Sequence, residues 1–131
     1  MFGYGINGAA DDLALRMLGQ LVAGMPIALE TTNARLLTSE LVAHVRTEGY
    51  TLVCFADLPP SPPSRTRLLV KRLHAAMPDL RIAVGRWACR DLADDNSQPL
   101  LDAGASHVAS LLLDTRKYLA EAAPRTPEVL S

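Results

Sequence analysis

The chain has 131 residues, 49% of them hydrophobic and 21% charged, and a formal net charge of −1. These values describe one globular domain with a sizeable core, give no electrostatic reason to expect nucleic acid, and include no apolar run long enough to span a bilayer. The N-terminus lacks the pattern of a secretory signal, and two cysteines do not make a disulfide framework, so we predict a reduced, cytoplasmic protein.

The first part of the chain predicts two units of a strand followed by a helix. Residues 1–6 form a weak strand, since two glycines lower its propensity, and residues 9–23 form a helix that ends at Gly24. Residues 26–32 suit a strand at the sheet edge, and a helix capped by Thr38 or Ser39 follows. The residues predicted to face inward are Leu13, Met17, Leu18, Leu21 and Val22 in the first helix, and Leu41, Val42 and Val45 in the second.

The middle of the chain predicts the centre of the sheet. Residues 51–56 and 81–85 are mainly apolar runs, as in strands that are covered on both faces. A stiff loop of prolines and serines and then a basic helix, capped by Ser61 or Ser64, connect them, so the two strands are predicted to be parallel. The side chains expected to face inward are Val53 and Phe55 in the strand, and Leu68, Leu69 and Leu73 in the helix.

The last third predicts a further helix, a strand and a closing helix. Residues 86–96 form a polar loop, Ser97 caps a short helix that runs to Ala103, and residues 105–112 form the fifth strand. Asp114 or Thr115 is predicted to cap the closing helix, which runs to Ala122. The domain therefore covers residues 1–123, and residues 124–131 are predicted to be a flexible tail.

Five strands alternating with five helices predict an α/β fold of three layers. The pattern is that of a doubly wound, flavodoxin-like (Rossmann-like) parallel sheet with strand order 2-1-3-4-5. In such sheets ligands bind outside the carboxyl ends of the strands, next to the switch point between strands 1 and 3. The loops at residues 5–10, 57–64 and 86–96 are expected to line that crevice.

Asp57 follows the central strand, where phosphate-accepting receiver domains keep their nucleophile. Those domains also need an acidic pair after strand 1, a Thr or Ser after strand 4 and a Lys after strand 5. Asp11 and Asp12 fall inside the helix, strand 4 runs into Arg86 and Trp87, and strand 5 ends in leucines. Without these groups phosphoryl transfer loses its electrostatic support, so we interpret Asp57 as a loop carboxylate that caps a turn.

Basic residues concentrate in one part of this near-neutral chain. Between residues 65 and 90 the only acid is Asp79, and the bases are Arg65, Arg67, Lys71, Arg72, Arg81, Arg86 and Arg90. A solvated helix face is one interpretation, and a docking surface for an anionic small ligand, an acidic protein or an anionic membrane leaflet is the other. Under the second, Arg65, Arg86 and Arg90 converge at the free N–H groups of the helix start.

The candidate ligand-binding residues are those expected at this corner of the sheet. Trp87 covers either the crevice or the core. No glycine-rich phosphate loop, nucleophile–base pair or metal-ligand spacing is present, so we predict neither enzymatic activity nor a cofactor. The full set of candidates is Asn7, Asp57, Ser61, Ser64, Arg65, Arg86 and Trp87.

Several motifs resemble the cytoplasmic C-terminal domain of larger members of the autoinducer-2 exporter-like permease family. The matching segments are Leu-Pro-Pro at residues 58–60, Lys-Arg-Leu at 71–73, Met-Pro-Asp-Leu at 77–80 and Val-Gly-Arg-Trp at 84–87. Residues 10–22 are similar to the family's first helix. The resemblance implies a location at the inner face of the membrane, with a permease as partner.

The layout is also similar to that of cobalamin-binding domains. Those domains carry Asp-x-His-x-x-Gly after strand 1, with the His as cobalt ligand, whereas residues 5–10 here read Gly-Ile-Asn-Gly-Ala-Ala. Cobalamin binding is therefore not expected. We predict a non-enzymatic regulatory or ligand-binding module associated with a permease; the alternative is a degenerate receiver-like signalling domain that acts through protein contacts, and a homodimer is a further candidate assembly.

Overall fold

The computed structural model describes residues 1–32, 34–58, 63–87 and 97–122. Within these residues the chain alternates between strands and helices throughout. The strands are β1 (Phe2–Gly5), β2 (Glu30–Thr31), β3 (Leu52–Ala56), β4 (Arg81–Gly85) and β5 (His107–Ala109). The helices are α1 (Ala9–Leu21), α2 (Thr38–Glu48), α3 (Ser64–Ala76), α4 (Ser97–Ala103) and α5 (Leu112–Ala122).

The strands form one parallel sheet in the order β2-β1-β3-β4-β5, which confirms the predicted fold class and strand order. The register aligns the last residues of four strands, because Gly5 lies beside Ala56, Ala56 beside Gly85, and Gly85 beside Ala109. Whatever follows these residues leaves the sheet at the same edge. This row of small residues therefore defines the carboxyl edge where a site was expected.

Two hydrophobic clusters cover the two faces of the sheet and make the three layers. Val53 and Phe55 point to the cluster that holds the inner faces of α2, α3 and α4, while Cys54 and Ala56 point to the cluster of α1 and α5. Val53 and Phe55 are both 0% exposed, so the prediction that they are deeply buried is confirmed. The alternation follows from the two-residue period of a strand.

The inward faces of two helices differ from the prediction. Leu13 and Met17 of α1 are 58% and 50% exposed, and Leu68 of α3 is 43% exposed. Apolar residues occur on several sides of both helices, so spacing alone admits more than one inward stripe. The buried residues are Ala14, Leu15, Leu18 and Val22 at α1, and Thr66, Leu69, Val70 and Leu73 in α3.

The predicted helix caps that fall on described residues are wrong, because each of them lies inside its helix; Ser61, the alternative cap of α3, is outside the described residues. Leu37 and Pro63 are the N-cap residues of α2 and α3, which makes Thr38 and Ser64 the first residues of those helices. The helix α5 likewise begins at Leu112, before Asp114 and Thr115. The edge position of β2 is confirmed, although only two residues pair with β1. No described helix is long and apolar enough to cross a membrane.

Cys54 is expected to be chemically inert in the folded protein. It is 0% exposed, and burial raises the pKa of its thiol to about 12, so almost no thiolate exists near neutral pH. In a Cys89→Ser background, iodoacetamide at about pH 8 should leave the folded chain unlabelled, as mass spectrometry would detect. The same variant unfolded in urea serves as the control and should label fully. Rapid labelling of the folded chain would contradict the buried position of β3.

Candidate functional site

Three side chains from neighbouring strands meet at the carboxyl edge of the sheet. Asn7 follows β1, Asp57 follows β3 and Arg86 follows β4, each within two residues of the aligned row. Backbone hydrogen bonds hold the latter two in register, because Asp57 N–H donates to Gly85 O and Arg86 N–H donates to Ala109 O, both at 2.9 Å. The parallel strands thus fix where these side chains start.

Asp57 and Arg86 form a buried ion pair. Asp57 is 0% and Arg86 2% exposed, and Arg86 Nη1 lies 3.2 Å from Asp57 Oδ2. The same Nη1 donates to the main-chain oxygen of Asp57, also at 3.2 Å. The interpretation of Asp57 as a loop carboxylate that caps a turn did not include this ion pair, and turn capping by Asp57 stays a prediction. Two opposite charges persist in a core only when they are paired and hydrogen-bonded, as they are here.

Two neutral donors also bind the Asp57 carboxylate. Asn7 Nδ2 donates to Oδ1 at 2.8 Å, and Thr66 Oγ1 donates to Oδ2 at 2.7 Å. Thr66 is 0% exposed and comes from the inner stripe of α3, so this helix also contributes to the site. Sequence reasoning missed Thr66. The sequence did offer one indication of its role. Thr66 lies one turn before Leu69 and Val70 on the inward stripe of α3, and a buried polar side chain needs a hydrogen-bond partner.

Asp11 lies beside this pair, although its position inside α1 had seemed too late in the chain. Its side chain is buried in the first helical turn, where side chains tilt back toward the N-terminus and hence toward the strand ends. Its Oδ2 accepts from Asn7 N–H at 2.9 Å, and its Oδ1 accepts from Leu58 N–H at 3.1 Å. Burial raises the pKa of Asp11, and the nearby Asp57 adds to that rise.

Two surface arginines fasten the loops around the site. Arg35 Nη1 donates to Gly5 O at 2.8 Å, and its Nη2 pairs with Asp12 at 3.0 Å. Arg65, from the first turn of α3, donates to Ile6 O at 3.3 Å and to Leu36 O at 3.1 Å. These bonds tie the end of β1 to α3 and to the segment before α2, so the edge is held by side chains from distant parts of the chain.

Trp87 belongs to the core and not to an open crevice. It is 7% exposed, and its Nε1–H donates to the buried Thr115 Oγ1 at 2.8 Å. Its ring lies against the backbone of Gly85, where an added Cβ would come within 2.1 Å of the ring. Only glycine fits at the end of β4 with this tryptophan position. Of the two sequence-based interpretations of Trp87, the structure supports the covering of the core.

The structure brings together only part of the predicted ligand site. Asn7, Asp57 and Arg86 meet, but Arg86 is turned into the core and does not share an open corner with Arg65. Ser64 is exposed and is not a cap. Ser61 is a further candidate, and Arg90 was expected to converge with Arg65 and Arg86. Both residues lie outside the described residues. Binding of an anionic ligand at this corner stays a prediction.

Among the described residues, the side chains at the carboxyl edge do not suit a divalent metal ion. Hard cations take oxygen ligands, whereas here an amide NH₂ of Asn7 and a guanidinium of Arg86 point at the Asp57 oxygens. Both oxygens of Asp11 already accept backbone N–H groups. Arg86 thus supplies the positive charge beside the Asp57 carboxylate.

A parallel sheet of five strands in this order, with helices on both faces, is the flavodoxin-like arrangement. The chain matches no family model and no curated protein. Among solved structures it is similar to a CheY-like protein, TadZ, of Pseudomonas aeruginosa PAO1, with 16% identity and a TM-score of 0.68 over 97% of this chain and 98% of that one.

Two further solved structures share the fold, also at low sequence identity. A pilus assembly-related protein of Burkholderia pseudomallei K96243 has 14% identity and a TM-score of 0.60, over 95% of this chain and 91% of that one. The receiver domain of NtrX from Brucella abortus has 12% identity and a TM-score of 0.58, over 94% of this chain and 100% of that one. These likenesses concern the fold, and the link to a membrane permease stays a prediction.

Proposed function

We propose that this chain is a non-enzymatic, receiver-type regulatory domain that acts through protein–protein contacts and does not use Asp57 as a phosphoryl acceptor. The receiver fold supports the regulatory class. The observation that carries the proposal is the burial of the Asp57 carboxylate, which is 0% exposed and bound by Arg86, Asn7 and Thr66.

Phosphorylation of Asp57 would require the carboxylate to reach a phosphorus atom in line with its leaving group. Both of its oxygens already accept hydrogen bonds in a site without access to solvent. A reacting Asp57 would have to give up a buried ion pair, and breaking such a pair costs about 3–5 kcal/mol. That cost is added to the chemical barrier, so the carboxylate serves structure.

The test is incubation of the folded chain with acetyl phosphate and Mg²⁺, followed by intact-mass analysis. We expect no phosphoryl group on Asp57, whereas an active receiver domain treated in parallel should gain one. An Asp57→Asn variant is the matched control for modification elsewhere. A stable gain of one phosphoryl group by the unmodified chain, absent in Asp57→Asn, would overturn the proposal.

A narrower proposal concerns the assembly in which the domain works. One of the similar structures is described as pilus assembly-related, and it matches over 91% of its own chain. We propose on this ground that the domain acts within a multi-protein pilus assembly machinery. Deletion of its gene should then reduce the number of surface pili seen by electron microscopy, and unchanged piliation would refute this narrower proposal alone.

A further inference from the structure

The basic outer surface of α3 and the adjoining groove against α2, here called the α2–α3 surface, stand apart from the Asp57 site. We infer that this surface docks an acidic α-helix of a partner protein. The inference rests on the proposed function, because it names the contact through which a receiver-type domain with a locked Asp57 would act. Its defining residues are Arg46, Arg67, Leu68, Lys71 and Arg72.

The charge of α3 is wholly positive. Its sequence, Ser-Arg-Thr-Arg-Leu-Leu-Val-Lys-Arg-Leu-His-Ala-Ala, holds four bases and no acid. Arg65 is engaged by backbone oxygens, but Arg67, Lys71 and Arg72 are exposed. No carboxylate among the described residues forms an ion pair with Arg67, Lys71, Arg72 or Arg46. Their charges are available to a partner.

These charges do not stabilise the helix that carries them. Arg67 and Lys71 are one turn apart, and like charges at that spacing destabilise a helix by roughly 0.2–0.5 kcal/mol. The first turn of α3 contains no acid, although its N-terminal end favours negative charge and Arg65 places a cation there. A merely solvated helix would gain from mixed charges. The arrangement is instead complementary to an external anion.

A groove of about 320 Å³ runs between α2 and α3, and Arg46 and Arg72 line it. The lining residues of α2 recur at every turn from Thr38 to Arg46, so the groove is roughly 12 Å long along the helix axis. Most of the lining side chains are small, so another backbone can approach closely, and arginines from both helices flank it. The lining residues are Thr38, Ser39, Val42, Ala43, Arg46, Arg72 and Ala76.

An amphipathic acidic helix fits these features better than a polynucleotide. Its carboxylates can be one turn apart, as Arg67 and Lys71 are, and an apolar residue between them can cover Leu68, which is 43% exposed. A nucleic acid carries a charge at every phosphate, whereas the bases of this surface stand at a few positions on α3 and on the last turn of α2. A helix can confine its negative charges to the positions opposite the bases.

The experiment measures binding of a synthetic helical peptide with glutamate pairs one turn apart around a leucine. Fluorescence anisotropy gives the affinity, and amide chemical-shift changes give the location. We expect the peptide to bind at α2 and α3, its glutamine analogue not to bind, and affinity to fall with salt, as the Debye length shrinks from ~10 Å at 0.1 M to ~3 Å at 1 M. The charge reversal Arg46→Glu with Arg72→Glu should weaken binding about tenfold or more.

A matched variant, Arg16→Glu with Lys117→Glu, makes the same change in net charge on the exposed faces of α1 and α5. It should alter affinity by less than about threefold, and thermal melts check that both variants fold. Absence of peptide binding at low salt, an equal loss in both variants, or tighter binding of duplex DNA or anionic vesicles at the same residues would overturn the inference. The Asp57 experiment is independent, so each proposal can fail alone.

Discussion

Replacing Arg86 by methionine is expected to lower the free energy of unfolding by about 3–5 kcal/mol, because it leaves the Asp57 carboxylate buried without a compensating charge. Methionine retains much of the side-chain length, so the loss reports the guanidinium and not an empty space. Urea denaturation followed by circular dichroism measures it. Both residues are almost fully enclosed, at 2% and 0% side-chain exposure, so solvent cannot screen the remaining charge.

Two controls separate the ion pair from other effects. Removing both charges, in Arg86→Met with Asp57→Asn, should restore roughly 1–3 kcal/mol relative to Arg86→Met alone. Arg35→Met removes an ion pair whose partners are 47% and 27% exposed, and it should cost about 1 kcal/mol or less. If Arg86→Met were no more damaging than Arg35→Met, the pair would not hold the carboxyl edge together.

The second large effect is expected for Phe55→Ala, at about 3–5 kcal/mol of lost stability. Phe55 is 0% exposed at the middle of the sheet, with Tyr4 beside it on β1 and Val84 beside it on β4. Truncation removes most of a large side chain and leaves a cavity that neighbouring strands, fixed by their hydrogen bonds, cannot fill. Denaturant melts measure the change.

A surface truncation provides the comparison for Phe55→Ala. Leu68→Ala removes apolar atoms from a side chain that is 43% exposed, so it should cost about 1 kcal/mol or less. A loss below about 1 kcal/mol for Phe55→Ala as well would place β3 at an edge, against the observed strand order.

The fold could be predicted because each strand and helix has a recognisable pattern in its own stretch of sequence. The run that became β4, residues 81–85, matched its observed bounds, since strands buried on both faces are apolar throughout. The inward face of α1 could not be predicted in the same way. Leu13 and Met17 satisfy helical spacing as well as Leu15 and Leu18 do, and only docking against the sheet decides between the two stripes.

The site was predictable in position but not in its contacts. Asp57 and Arg86 were expected at the carboxyl edge because each follows a predicted strand. That they pair could not be read from the chain, because 29 residues separate them and the direction of a long side chain depends on what surrounds it. The bond between Asn7 and Asp57 spans 50 residues and was beyond reach for the same reason.

The enclosed ion pair has a consequence for how information would pass through this domain. A molecular switch needs two states of similar free energy, so that a small chemical event can exchange their populations. Here a buried ion pair and hydrogen bonds hold the arrangement around Asp57. Breaking the pair would cost about 3–5 kcal/mol, which is a large part of the stability of a small domain. The carboxyl edge is therefore expected to keep one arrangement, and under the proposed function its contacts with partners would not depend on a chemical change at Asp57.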